Sequence, residues 1–175
     1  GRELAVFDSG QGAVEVRRRR RLIARARPGS LVDAPAPSAP SYAEALTARR
    51  RHPLADRRHP LSACVVCGPH RWDGMHVTPG PLIGAPDRIA APWSVDVAFT
   101  QGGYAHYPAV WGALDCTSYP AQALHDRTLC LLGTMTAQVF SSPEVGRTYH
   151  CVGRLAGHEG RKFFTQTALY TPEGE

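Results

Sequence analysis

This sequence of 175 residues has very little lysine and no long apolar run, and its number of cysteines is odd. Of its 20 Lys and Arg residues only Lys162 is a lysine, a bias typical of GC-rich coding that weakens a functional interpretation of arginine clusters. No apolar run approaches the roughly 18 residues of a membrane span, and the N-terminus has no signal-peptide pattern. These absences predict a cytoplasmic protein that makes no use of a membrane.

Five cysteines, an odd number, do not form the pattern of a secreted disulfide framework. Two of them belong to the motif His59-x4-Cys64-x2-Cys67-x2-His70. Tetrahedral zinc takes four such ligands, but four of them packed into 12 residues would have to fold back tightly, and a second ligand pair further along is missing. We therefore expect no metal and interpret Cys64 and Cys67 as reduced, partly buried cysteines that shape a loop.

Charge is distributed unevenly along the chain. Residues 1–60 carry 13 Arg and 6 acidic residues, a balance of +7, whereas residues 61–175 carry 7 basic and 9 acidic residues, a balance of −2. A basic half could meet nucleic acid, an anionic membrane or the phosphates of coenzyme A. The run Arg17–Arg21 lacks interleaved aromatic residues for base stacking, so a solvated sheet face is the first interpretation, coenzyme A phosphates the second, and no nucleic-acid partner is expected.

Composition divides the chain into three segments. Residues 1–28 form a basic strand segment, in which alternation from residue 14 predicts a half-exposed antiparallel strand that is bent or bulged near residues 18–20. Residues 29–87 form a Pro-rich linker and ordered loop, with a short helix over 42–50 begun by a Ser41–Glu44 capping box. Residues 88–175 form a regular domain.

This regular domain alternates clear strand and helix patterns. Strands are predicted over 89–99, 129–140, 147–155 and 162–170, and a helix over 109–118 with Pro108 at its first position. One strand, one helix and a meander predict an α+β fold, a curved antiparallel sheet wrapped around a central helix.

The stretch His106-Tyr-Pro-Ala-Val-Trp-Gly-Ala-Leu-Asp115 resembles the central-helix motif of phenylacetate-pathway-type acyl-CoA thioesterases. His106 and Asp115 match the family His and Asp, while Tyr107 and Pro108 replace two glycines. An uncharacterised branch of this superfamily is also similar in its downstream and cysteine segments, which are Leu132-Gly133, Val145-Gly146, Gly160-Arg161-Lys162, Ala168-Leu169-Tyr170 and His59-Pro60…Cys64-Val-Val-Cys67-Gly-Pro69. The resemblance covers about two-thirds of the chain and implies the hotdog fold.

The same resemblance implies a function. An acyl-CoA or acyl-carrier-protein thioesterase would use Asp115 as its catalytic carboxylate and His106 to orient the carbonyl, in a homodimer or higher hotdog oligomer. It would need no metal and no cofactor beyond the coenzyme A moiety of its substrate. The residues expected to bind that substrate are Tyr107, Ala109, Val110 and Trp111.

Two departures keep alternatives open. Pro108 has no N–H at a position where the family uses glycine, and a lost oxyanion donor costs about 10²–10³ in rate. A non-catalytic hotdog protein that binds acyl-CoA or another small molecule is therefore the alternative, and a hydratase on the same fold a third hypothesis. The order of segments also leaves two architectures: residues 1–27 belong to a preceding unit of a double hotdog, or they complete the sheet of residues 88–175.

Overall fold

A computed structural model describes residues 3–31, 35–54 and 58–175. The chain separates into two compact units. Unit 1 comprises Gly1–Ala34 with Thr136–Gln138, and unit 2 comprises Pro35–Met135 with Val139–Glu175.

Unit 1 is built on a three-stranded antiparallel meander, β1 (Ala5–Gly10), β2 (Ala13–Arg18) and β3 (Arg21–Ala26). The single bulged strand predicted from residue 14 is wrong, because the chain reverses at Arg19, which has a φ of 54°. Glu15 is buried between Arg17, 2.7 Å away, and Arg25 on the next strand. The meander forms a three-stranded sheet of its own.

Unit 2 contains a four-stranded antiparallel sheet in the order β4-β5-β8-β9. Its strands are β4 (Gly80–Leu82), β5 (Ala85–Ser94), β8 (Thr148–Glu159) and β9 (Lys162–Tyr170). Its helices are α1 (Tyr42–Arg50), α2 (Tyr107–Thr117) and α3 (Ala121–His125). A 3-10 turn (Val97–Phe99) and the short pair β6 (Thr100–Gln101) and β7 (Tyr104–Ala105) connect β5 to α2.

Most predicted elements of unit 2 are present, with shifted ends. α1 begins at the predicted Ser41–Glu44 capping box. β5 ends at Ser94 and not at residue 99, because the Asp96 carboxylate accepts the N–H of Ala98 and turns the chain. Pro92 lies beyond the part of β5 that pairs with β4, where a missing N–H is tolerated.

The strand predicted over residues 129–140 is wrong. That segment has neither strand nor helix, although its sequence alternates. The side chains of Leu131 and Phe140 are 79% and 86% exposed. A strand requires a hydrogen-bonded neighbour, and no described strand pairs with these residues.

Helices cover both faces of the four-stranded sheet. On one face, Ala45 and Ala48 of α1 pack with Ala90 and Val152. On the other face, Ile89 packs with α3, and α2 contacts β5, β8 and β9. Small residues allow close approach, since a Cβ at Gly153 of β8 would lie 2.0 Å from the carbonyl oxygen of Thr117. The C-terminal end of α2 is thereby fixed directly against the sheet.

In the described part of the chain, no helix has the length and apolar character needed to cross a bilayer.

Candidate functional site

α2 begins with a histidine cap. Nδ1 of His106 accepts a hydrogen bond from the N–H of Ala109 at 3.1 Å, and the His106 carbonyl accepts from Ala109 at 2.9 Å and from Val110 at 3.3 Å. Pro108 has no N–H. Tyr107 therefore carries the one N–H of the first turn that has no hydrogen-bond partner among the described residues.

The outward face of α2, defined here as Tyr107, Trp111 and Asp115, consists of residues spaced four apart and thus aligned on one side of the helix. Tyr107 is 63% and Trp111 38% exposed, and Asp115 is half-buried. The opposite face, which includes Ala109 and Val110, is buried toward the sheet. An exposed aromatic pair in line with a carboxylate can contact an apolar ligand that carries a polar reacting group.

Asp115 makes no side-chain hydrogen bond or ion pair with any residue in the described ranges. Partial burial raises the pKa of its carboxyl group, and the negative charge on Cys64 raises it further. The chemistry of this carboxylate suits a group that accepts a proton from water.

Three cysteines meet beside this helix. The Sγ atoms of Cys64, Cys67 and Cys116 lie within 4.8 Å of one another, and those of Cys64 and Cys116 are 3.9 Å apart. A hydrogen bond from Cys116 lowers the pKa of Cys64 to about 4, with further hydrogen bonds from backbone N–H groups. The shared proton and burial raise the pKa of Cys116.

The loop that carries Cys64 and Cys67 packs directly on α2. A Cβ at Gly112 would lie 2.7 Å from Cγ2 of Val66, so a glycine on the helix makes room for the loop. A Cβ at Gly68 would lie 2.4 Å from the carbonyl oxygen of Cys64, so the turn itself also requires glycine. The first contact holds the loop against the second turn of α2, and the second constrains the turn within the loop.

The structure brings together part of the site expected from the sequence. Tyr107, Trp111 and Asp115 share one face, His106 caps the same helix, and Ala109 and Val110 have buried side chains and N–H groups bonded to His106. Cys116 was missed as a neighbour of Cys64 and Cys67. It lies 49 residues after Cys67, and no spacing rule links the two without knowing that the loop packs on α2.

Comparison with solved structures finds the crystal structure of thioesterase superfamily member 2 from zebrafish, with a TM-score of 0.51 and 17% sequence identity. The match covers 66% of this chain and 85% of that protein. No protein-family model matches the chain, and no curated protein matches it. The predicted branch of the superfamily stays a prediction, whereas the mixed α/β fold with antiparallel sheets is confirmed. The chain shares its fold with a member of the thioesterase superfamily.

Proposed function

We propose that the protein binds an acyl thioester, such as an acyl-CoA or an acyl-carrier-protein conjugate, at the outward face of α2 and hydrolyses it slowly. In this proposal α2 is the central helix of a hotdog fold. The observation that carries it is the Asp115 carboxylate, which has no side-chain partner among the described residues and lies in line with two exposed aromatic side chains. The fold is similar to that of a thioesterase superfamily member.

The reaction assigns each polar group one task. The Tyr107 N–H, at the positive end of the helix dipole, donates to the thioester carbonyl oxygen as charge develops on it. Asp115 takes a proton from the attacking water as the water oxygen bonds to the carbonyl carbon, the C–S bond then breaks, and the leaving thiolate takes the proton back from Asp115. Trp111 contacts the acyl chain.

In this proposal one copy of the chain supplies the Tyr107 N–H and a second copy supplies the Asp115 carboxylate. Asp115 lies eight residues after Tyr107, which is about 12 Å along the axis of one helix. Two antiparallel copies of α2 side by side bring the first turn of one helix near the third turn of the other. A dimer therefore shortens the distance between the N–H donor and the carboxylate.

Binding without hydrolysis is the second candidate function. It is favoured by Pro108, which has no N–H, and by His106, which occupies the N–H of Ala109. Only one first-turn donor then remains for the carbonyl oxygen, and loss of a single donor costs about 10²–10³ in rate.

A thiol-release assay over acyl-CoA substrates of increasing chain length, paired with calorimetric titration of the same substrates, distinguishes the two functions. We expect binding together with slow turnover for at least one chain length. Binding with no thiol release identifies the non-catalytic protein. Neither binding nor release by any acyl-CoA or acyl-carrier-protein substrate contradicts the proposal.

A further inference from the structure

We propose that Cys64, Cys67 and Cys116 together bind one zinc ion, which clamps the loop of residues 58–79 to α2. This site does not depend on the proposed thioesterase function. The sequence predicts a loop without metal because no further ligand is found near Cys64 and Cys67 along the chain. In the structure Cys116 lies beside both of them and provides that ligand.

The sulfur spacing matches a shared metal ion. A Zn–S bond of about 2.3 Å in tetrahedral geometry places two thiolate sulfurs about 3.8 Å apart. The Sγ atoms of Cys64 and Cys116 are 3.9 Å apart, and Cys67 Sγ lies within 4.8 Å of both. A disulfide requires about 2.05 Å, and all three cysteines are free thiols.

The turn between Cys64 and Gly68 places the Sγ atoms of Cys64 and Cys67 close together. The N–H of Gly68 donates to the Cys64 carbonyl oxygen at 2.9 Å and closes the turn that carries both cysteines. A side chain at position 68 would collide with the backbone of Cys64 and Ser62, so this turn is tightly constrained.

The third sulfur comes from a rigid part of the fold. Cys116 precedes Thr117, which is buried at the contact with Gly153. The loop is held in turn by hydrogen bonds from Met75 N–H to Val65 O at 2.8 Å and from Val77 N–H to Val66 O at 2.9 Å. Ligands fixed by two separate elements are arranged before the metal arrives, which favours binding.

The donor set favours a soft metal ion such as zinc. Thiolates are soft ligands that disfavour magnesium and calcium. Among the described residues, no fourth His, Cys, Asp or Glu offers a ligand atom within the cluster, and His59 and His70 lie outside it. A water molecule therefore takes the fourth position. Three thiolates and a zinc ion leave a net negative charge on the site.

A two-cysteine redox centre is the competing explanation. It needs only Cys64 and Cys67, and it leaves the convergence of a third sulfur from α2 unexplained. Zinc binding involves all three equally, so a substitution of Cys116 distinguishes the two.

The test measures zinc in the whole chain after reconstitution with zinc chloride under reducing conditions and removal of excess metal. We expect about one zinc per chain in the wild type and in Cys130→Ser, a matched control whose cysteine lies outside the cluster. We expect at least a tenfold lower content in Cys116→Ser and in Cys64→Ser. Zinc-free wild type, full zinc in Cys116→Ser, or stoichiometric binding of a different metal in its place overturns the proposal.

Because a variant can lose metal by failing to fold, a second measurement uses the wild type alone. Alkylation by iodoacetamide, mapped by mass spectrometry, should spare Cys64, Cys67 and Cys116 together when zinc is bound and modify them after chelation. Cys130 should react in both states. Equal alkylation of the three with and without zinc contradicts the assignment.

Discussion

At the first turn of α2, the imidazole of His106 accepts the N–H of Ala109, which is the geometry of a helix N-cap. The motif resemblance predicts that this histidine orients the substrate carbonyl. Because Nδ1 accepts the Ala109 N–H, only Nε2 is left to contact a substrate. Such a difference cannot be derived from the sequence, because a loop histidine before a helix has the same pattern whether it caps or catalyses.

Replacing the cap has a measurable cost. We predict that His106→Ala lowers the free energy of unfolding by about 1 kcal/mol, since loss of an N-cap side chain typically costs 0.5–2 kcal/mol. His106→Asn should retain most of the stability, because the Asn side chain can also accept the N–H. Urea denaturation of the three proteins tests this, and equal stability of His106→Ala and the wild type would show that the cap is not stabilising.

His52, just after α1, lowers the free energy of unfolding as the pH becomes acidic. Its Nδ1 accepts the N–H of Leu54, and burial, with the charge of His59 nearby, lowers the pKa of His52 to about 4. Because the folded pKa lies below the unfolded value of 6.5, the unfolded chain binds a proton first as the pH falls. Stability from this group is complete above pH 6.5 and is lost between pH 6.5 and about 4.

We predict that His52→Asn flattens this dependence. Asn keeps an acceptor for the N–H two residues on but does not titrate. Between pH 7 and 5 the wild type should lose about 1 kcal/mol more than the variant, a value below the full pKa difference because His52 is partly exposed. Denaturation midpoints at the two pH values measure it, and parallel losses in both proteins contradict it.

Secondary-structure elements whose own sequence marks their ends can be predicted from the sequence. Strands whose formation depends on a pairing partner elsewhere in the chain cannot. α1 carries its own capping box, and β8 and β9 lie on either side of a glycine turn. Residues 129–140 also have a strand-like sequence, but no described strand pairs with them. Tyr119 also holds this segment locally, since its hydroxyl donates to Thr128 O and accepts the N–H of Cys130.

The contact between α2 and β8 provides a matched test of packing. Gly153→Ala should destabilise the protein by about 3 kcal/mol, because its Cβ would lie 2.0 Å from the Thr117 carbonyl oxygen. Gly157→Ala on the same strand should change stability by less than about 1 kcal/mol, since its Cβ would meet nothing closer than Phe164 at 3.8 Å. Thermal melts of both variants decide, and similar melting temperatures would show that α2 is not fixed at this point.

At the scale of the whole molecule, exposed apolar side chains indicate a partner. Trp111 on the outward face of α2, and Leu131 and Phe140 in the unpaired segment, are exposed in the single chain. Large exposed apolar groups commonly mark interaction surfaces. The hotdog resemblance predicts a dimer or higher oligomer, and the proposed site uses the outward face of α2 as its seam.

We predict that the protein is a dimer in solution and that Trp111→Asp shifts it to monomer. Trp72→Asp is the control, because Trp72 is 93% exposed on the loop and its replacement should leave the assembly intact. Light scattering after gel filtration measures the mass of each. A wild-type monomer, or a Trp111→Asp dimer as stable as the control, contradicts the seam.

The most direct test of the proposed function is the value of kcat/KM for Asp115→Asn on the best acyl-CoA substrate. Asn keeps the size of the side chain, and because Asp115 has no side-chain partner among the described residues, the melting temperature should stay unchanged. Loss of a general base predicts a fall of about 10²–10⁴ in kcat/KM. An Asp115→Asn protein that hydrolyses acyl-CoA as fast as the wild type would contradict the assignment of Asp115 and with it the proposed site.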